Sequence, residues 1–182
     1  MPAPARSTAN VGVVRVNSRD DRLAEAIRLR EQGDPGRARS LLLRLAEQYP
    51  ADSEIAYQTA WAHDVLGLEA AAVPFYERAL AGGGLSPDDR RDALLGLGST
   101  CRTLGRYAEA ERTLRRGVDE FPGDAALLTF LAMALYNTGG HHEATSILLT
   151  LLADTSQDPR VRQYHRAITH YARDLDAVEP PH

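Results

Sequence analysis

The sequence predicts an all-α protein in which antiparallel helix pairs stack into a solenoid. A glycine stands five residues before an alanine at four places, and successive glycines are 34, 38 and 34 residues apart. A unit of this length is one helix pair, which becomes stable by stacking on its neighbours. The composition agrees, because 43% apolar residues with only 6% aromatics suit close helix packing. The recurring pairs are Gly33 and Ala38, Gly67 and Ala72, Gly105 and Ala110, and Gly139 and Ala144.

The repeats also predict how the chain is organised. We expect a disordered N-terminal tail over residues 1–19, a helical repeat domain over 20–175 and a disordered C-terminus over 176–182. The tail holds an apolar run at 11–16, which has strand propensity but no sheet to join; the alternative is that it docks into a groove as an extended peptide. The predicted repeats cover about 19–52, 53–86, 87–124 and 125–158, and a capping helix covers 159–175.

Apolar residues recur with a period near 3.6 between breaks rich in Gly and Pro, and this predicts eight helices within the four repeats. Pro74 falls inside the fourth of them. Because Pro74 cannot donate an amide hydrogen to the carbonyl of Ala70, we predict a kink or a late start there. The predicted helices are 21–32, 36–48, 53–66, 69–80, 87–104, 107–120, 125–138 and 142–153.

A ninth helix is predicted at the end of the array. Asp158 is a candidate N-cap, and Pro159 suits the first helical position. The end of a solenoid needs an element with a polar outer face, because the last repeat otherwise exposes its packing surface. The apolar stripe that would face the last repeat contains Val161, Tyr164, Ile168, Tyr171 and Leu175.

Composition and charge disfavour several classes of function. A net charge of −4 and a pI near 5.9, with arginines interspersed among acids, argue against a nucleic-acid partner. All 21 basic residues are arginine, which indicates the codon bias of a GC-rich, bacterial genome. The single cysteine, Cys101, allows no disulfide framework, and no segment reaches the ~18 apolar residues of a membrane span. We expect a cytoplasmic protein with no membrane partner.

The pattern resembles the tetratricopeptide repeat, whose signature is W-x2-L-G-x2-Y, then A-x3-F, then P. The likeness extends over about 20–175 and is weakest in the first helix, where Arg22 and Glu25 replace apolar residues. The resemblance implies a right-handed superhelix whose first helices line a concave groove that binds peptides or helices of other proteins. The third repeat matches best, through Leu94, Leu97, Gly98, Cys101, Ala110, Leu114 and Pro122.

The groove positions of that family, carried onto this chain, give the candidate site. Trp61, the only tryptophan, would form aromatic walls for a peptide together with Tyr57 and Tyr136. The alternative is that these rings complete the packing between repeats. In the groove, Arg102 would hold a carboxylate and Asn137 would pair with peptide backbone. The candidate groove residues are Tyr57, Trp61, Asp64, Ser99, Arg102, Met133, Tyr136 and Asn137.

No local motif predicts catalysis, a metal site or a cofactor. His141 and His142 with Glu143 have no third ligand near them in sequence, and adjacent histidines in a loop project in different directions. The glycines at 82–84 are not followed by the Lys-Ser or Lys-Thr of a phosphate loop. An enzyme would need a site assembled from distant loops, and the sequence gives this no positive support.

The sequence therefore predicts a non-enzymatic interaction module, or adaptor, that binds a peptide or helix of a partner protein in its concave groove. A rigid array loses little conformational entropy on binding, so its contacts convert more fully into affinity. The alternative is a self-associating structural protein, a homo-oligomer in which a neighbouring chain or the N-terminal tail fills the groove. The repeats do not identify the partner.

Overall fold

The computed structural model describes residues 18–178, which form ten α-helices and no strand, so the all-α prediction is confirmed. The apolar run at 11–16 and residues 179–182 lie outside the described part. The helices are α1 (Arg19–Glu31), α2 (Pro35–Gln48), α3 (Ser53–Val65), α4 (Glu69–Ala81), α5 (Pro87–Thr103), α6 (Tyr107–Glu120), α7 (Ala125–Thr138), α8 (His141–Thr155), α9 (Pro159–Gln163) and α10 (His165–Arg173).

The glycine of each recurring Gly and Ala pair lies in the turn between the two helices of a repeat. All four have positive φ angles, from 69° to 90°, a left-handed conformation in which a Cβ atom is strained. The alanines that follow are buried, and three of them are fully inaccessible. In each recurring pair, the glycine therefore allows the turn and the alanine allows a close contact between helices. The buried alanines are Ala38, Ala72, Ala110 and Ala144.

A side-chain cap starts the first helix of every pair. Ser18 Oγ accepts a hydrogen bond from the Asp21 amide at 3.1 Å, and the Asp21 carboxylate accepts one from the Ser18 amide at 3.2 Å. This capping box starts α1 at Arg19, earlier than the periodicity predicts. The second helices α4, α6 and α8 start without such a cap. The four capping residues are Ser18, Asp52, Ser86 and Asp124.

The helices pack as four consecutive pairs, and each pair stacks on the next. The first helices also contact one another, α1 with α3, α3 with α5 and α5 with α7, so together they line one side of the array. The core consists of two clusters that both include residues of α3. Ile55 and Ala62 pack toward α1 and α2, whereas Ala56 and Ala60 pack toward the later repeats.

Two elements differ in detail from what the sequence predicts. Helix α4 begins at Glu69 and continues through Pro74 to Ala81, so it has no late start. Ala70 and Pro74 are both exposed, so water can reach this turn of the helix, where the proline removes one backbone donor. The kink at Pro74 remains a prediction.

The predicted ninth helix is two helices. Tyr164, with ψ of 10°, separates α9 from α10. Helix α10 packs on α8 in the place expected of a cap, where Ala172 is buried and its carbonyl accepts a hydrogen bond from the Ser146 hydroxyl. The predicted apolar stripe is only partly covered, since Tyr164 and Tyr171 are about half exposed at 52% and 47%.

Candidate functional site

A cavity of about 490 Å³ opens on the side of the array formed by the first helices. Its walls come from α3 and α5, with single residues from α4 and α7. Tyr76 and Phe130, which the family's groove positions do not include, also line the cavity. The structure thus brings together half of the predicted site residues. These are Tyr57, Trp61, Asp64 and Ser99.

Three aromatic rings form one wall of this cavity. The ring of Tyr57 lies 5.8 Å from that of Trp61 and 6.5 Å from that of Tyr76, measured between centroids, and both pairs are tilted. Tyr57 is 2% exposed and belongs to the core, whereas Trp61 is 37% exposed. Tyr57 therefore packs between repeats and lines the cavity at once, and burial raises its pKa well above the ordinary value.

Arg30 of α1 covers Trp61. Its guanidinium carbon lies 3.5 Å from the centroid of the Trp61 ring, a cation–π geometry, and its Nη1 donates a hydrogen bond to the side chain of Gln58. Burial lowers the pKa of Arg30. Sequence reasoning missed this residue because it lies on the helix that departs most from the repeat pattern.

Hydrogen bonds to Asp64 connect three helices at the cavity. Its carboxylate accepts a hydrogen bond of 2.8 Å from the Tyr76 hydroxyl of α4 and one from the Thr100 hydroxyl of α5, at 2.8 and 3.0 Å to its two oxygens. Burial raises the pKa of Asp64 even though these hydrogen bonds oppose the shift. Gly96 leaves room for this arrangement, since a Cβ atom there would lie 2.4 Å from the Tyr76 hydroxyl oxygen.

The ionised side chains that line the cavity are acidic, although two guanidiniums lie beside it, Arg30 on Trp61 and Arg91 on Asp92. Within residues 18–178, Asp64 receives hydroxyl donors but forms no ion pair. Asp92 at the cavity accepts a hydrogen bond of 3.2 Å from Arg91 Nε, and its side chain is 46% exposed. By contrast, Glu120 and Glu143 on the second helices are each paired with an arginine.

Three of the other four predicted residues lie at a second, smaller cavity of about 310 Å³ in the fourth repeat. Arg102, Met133 and Tyr136 line it. The ring of Tyr136 lies 5.0 Å from that of His141, and Tyr136 is 66% exposed. Arg102 Nε donates a hydrogen bond of 2.9 Å to the side-chain oxygen of Asn137, so these two residues already bind each other.

The structure also assembles a polar cluster that sequence reasoning missed. His142 lies with Asp174 and Asp176, and one potential ligand atom from each falls within 4.8 Å of the others. The two aspartates follow α10, more than 30 residues away in sequence, so no local spacing reveals them. All three are exposed, and His142 Nε2 lies 3.5 Å from Asp176 Oδ2.

The single thiol has the surroundings of a packing residue. Cys101 is fully buried in the main core cluster. Burial raises its pKa to about 11, so the thiol is protonated at neutral pH. As for membranes, none of the ten helices in residues 18–178 combines the length and the apolar character that a bilayer crossing requires.

Comparison with known proteins gives one family. A family profile described as "Tetratrico peptide repeat" matches residues 53–175. The match begins at the first residue of α3, so it omits the first helix pair, whose sequence departs most from the signature. Curated protein sequences give no match.

Solved structures share the fold at low sequence identity. A crystal structure of the MamA protein is 18% identical, with a TM-score of 0.66, covering 90% of this chain and 80% of its own. YrrB, described as a TPR protein with an unusual peptide-binding site, is 18% identical with a TM-score of 0.61, covering 88% and 87%. A kinesin light chain with TPR-like repeats from Podosopora anserina is 20% identical with a TM-score of 0.61, covering 87% and 94%.

Proposed function

Because the chain belongs to the tetratricopeptide-repeat family, we propose that it is an adaptor that holds a peptide or helix of another protein in the groove formed by its first helices. The family and the fold support a protein–protein interaction module. The groove is the specific part of the proposal. YrrB, which shares the fold, is described as having a peptide-binding site, and this adds to the case for a peptide ligand.

One observation carries the proposal. Seven of the eight residues predicted from the family's groove positions line two cavities, and the eighth, Asn137, accepts a hydrogen bond from Arg102 at the second. The helices that carry these residues contact one another in series, α3 with α5 and α5 with α7. Each cavity offers one exposed aromatic ring, Trp61 at the first and Tyr136 at the second, with exposed fractions of 37% and 66%. Exposed aromatic side chains on a rigid surface are typical anchors for a protein ligand. A ligand that reaches both cavities therefore runs along the groove.

We propose that the role is non-enzymatic and cytoplasmic. The thiol of Cys101 is buried and protonated, and Asp64 is held by two hydroxyl donors, so neither is set up beside a general base as a nucleophile. A free, buried cysteine suits a reducing compartment.

Affinity capture from the native lysate tests the groove. We would compare wild type with Trp61→Ala and with Tyr136→Ala, each shown by circular dichroism to be folded. The control is Tyr107→Ala, because Tyr107 is similarly exposed, at 40%, but lies on α6, outside the groove helices. We expect partners to be lost from the two groove variants and kept by the control. If all four proteins capture the same partners, the groove proposal is wrong.

Self-association is the second candidate, and exposed apolar side chains at the end of the array favour it. Leu148 and Leu152 of α8 are 46% and 44% exposed, and the tyrosines of the capping segment that packs on α8 are about half exposed. Light scattering over a concentration series would show dimers if this surface pairs, and Leu148→Glu with Leu152→Glu would abolish them. A dimer that persists in this variant but disappears on deletion of residues 1–17 would instead assign self-association to the N-terminal tail.

A further inference from the structure

We infer that the larger cavity receives an arginine side chain of the partner, whose guanidinium lies against the aromatic wall and pairs with the carboxylates of Asp64 and Asp92. The ligand is then a peptide in which apolar residues flank this arginine. The inference rests on the proposed function, of which it specifies the ligand chemistry.

The charge of Asp64 is unbalanced. Carboxylates removed from water are normally paired with a cation, because hydrogen bonds from neutral donors compensate only part of the lost hydration. Asp64 has hydroxyl donors from Tyr76 and Thr100, and within residues 18–178 it has no ion pair. Its raised pKa shows the resulting cost of ionisation. An arginine from outside would supply the missing cation.

The aromatic wall suits the same side chain. A guanidinium is flat and weakly hydrated, so it stacks on an aromatic face and can bind a carboxylate through its edge at the same time. Trp61 already carries one guanidinium, that of Arg30, at 3.5 Å from its ring centroid. Trp61, which is 37% exposed and is the accessible ring of this wall, therefore offers a surface of the kind that a second guanidinium can use, next to Asp64 in the same cavity.

Charge and shape disfavour the other side-chain classes. An acidic side chain would meet Asp64 and Asp92, and a purely aliphatic one would bury Asp64 further without a partner. The ion pair between Arg91 and Asp92 does not prevent a ligand arginine from pairing with Asp92, because this ion pair is exposed and such pairs contribute little stability. A volume of about 490 Å³ also exceeds that of one side chain, which leaves Val65, Leu95 and Phe130 to contact apolar neighbours.

Selection from a random peptide display library tests the inference while the partner is still unidentified. The full chain would be immobilised as wild type, Trp61→Ala, Asp64→Asn and Asp88→Asn. Asp88→Asn is the matched control, because Asp88 also lies on a first helix but its side chain is 83% exposed. We expect peptides with one enriched arginine on wild type and on the control, and loss of that enrichment on Asp64→Asn.

An enriched peptide would then be compared with its citrulline counterpart, which keeps the shape of arginine but has no charge. Trp61, the only tryptophan, lines the cavity and reports binding by its fluorescence. We expect the citrulline peptide to bind wild type about tenfold more weakly or worse, as for a hydrogen bond to a charged group. In Asp64→Asn this difference should shrink. Equal affinities in wild type, or an undiminished difference in the variant, would overturn the inference.

The selection separates failure of the inference from failure of the proposed function. If the selected peptides require Trp61 but carry no enriched arginine, the inference of a bound arginine is wrong and the groove proposal still stands. If no selected peptide depends on Trp61, both fail. If arginine peptides bind only after residues 1–17 are removed, the chain's own tail occupies the cavity. The inference that a partner's arginine binds there is then wrong.

Discussion

Helices α3 and α8 have similar lengths but differ widely in how much of each is buried. Of the 13 residues of α3, nine are buried, whereas of the 15 residues of α8 only Ala144 and Ala153 are buried. Yet α8 contains the strongly apolar stretch from Ile147 to Leu152. Helix α3 packs against long helices both before and after it, whereas α8 packs against α7 on one side and against the short helices α9 and α10 on the other.

The two helices also differ in how their polar side chains are used. In α3, the buried His63 donates from Nδ1 to the carbonyl of Thr59 at 2.7 Å and accepts at Nε2 from Arg39 at 2.9 Å. In α8, Thr145 and Thr150 bond the carbonyls of their own helix at exposed positions. A change in α3 should therefore be costly, and a change in α8 should mainly alter the surface.

Matched truncations give the largest expected difference. Ile55 of α3 is fully buried, so Ile55→Ala should lower the free energy of unfolding by about 2–5 kcal/mol. Leu152 of α8 is 44% exposed, so Leu152→Ala should cost less than about 1 kcal/mol. Urea unfolding followed by circular dichroism measures both. Equal losses would show that α8 is as tightly packed as α3, contrary to the comparison.

A glycine variant tests packing in α5, the next first helix after α3. A Cβ atom at Gly98 would lie 2.4 Å from Leu114 Cγ, so Gly98→Ala should cost about 1–3 kcal/mol of overpacking, despite the better helix propensity of alanine. Gly36 of α2 is the control, because a Cβ atom there meets nothing within 4 Å. Gly36→Ala should leave stability unchanged or raise it. A stabilising Gly98→Ala would mean that Leu114 moves aside freely.

The histidine of α3 should make stability depend on pH. Burial lowers the pKa of His63 below its ordinary 6.5, so the unfolded chain takes up this proton more readily than the folded one. The contribution of neutral His63 is complete above about pH 6.5 and is lost as the pH falls from there toward the lowered pKa. Thermal unfolding at pH values on both sides measures the loss. His63→Phe should flatten this part of the profile, and an unchanged slope would assign it to other groups.

The smallest effect is expected at the cavity. Because burial raises the pKa of Asp64 above 3.8, its ionised form costs stability at neutral pH, and this cost disappears as the pH falls through the raised pKa. Asp64→Asn keeps an acceptor for Tyr76 and Thr100, so it should be neutral or stabilising by up to about 1 kcal/mol at neutral pH. Asp88→Asn serves as the exposed control. A clear loss of stability would show that the carboxylate is structural.

Local signals in the sequence were enough for most of the fold. The turn glycines, such as Gly67 with φ of 69°, and the capping residues act within a few residues of themselves, so their positions can be read directly. The break at Tyr164 has no such signal, since no Gly or Pro stands there. It lies just before α10, the helix that packs on α8.

Part of the candidate site could also be predicted from local signals in the sequence. The repeat register places Tyr57, Trp61 and Asp64 on one helix face, and the structure finds them at one cavity. Arg30 escaped prediction because its contact with Trp61 joins two repeats, one of which departs from the pattern. Which groups finally meet across repeats depends on how the helix pairs stack, and no spacing within one repeat specifies that.

The hydrogen bonds of Asp64 give the cavity a second consequence. The carboxylate that faces the ligand space is also the joint at which α3, α4 and α5 are fastened to one another. The hydrogen bond from the Thr100 hydroxyl to this carboxylate crosses the junction between the second and third helix pairs. A ligand that paired with this carboxylate, as inferred above, would therefore act on the contact between these helices as well as fill the cavity.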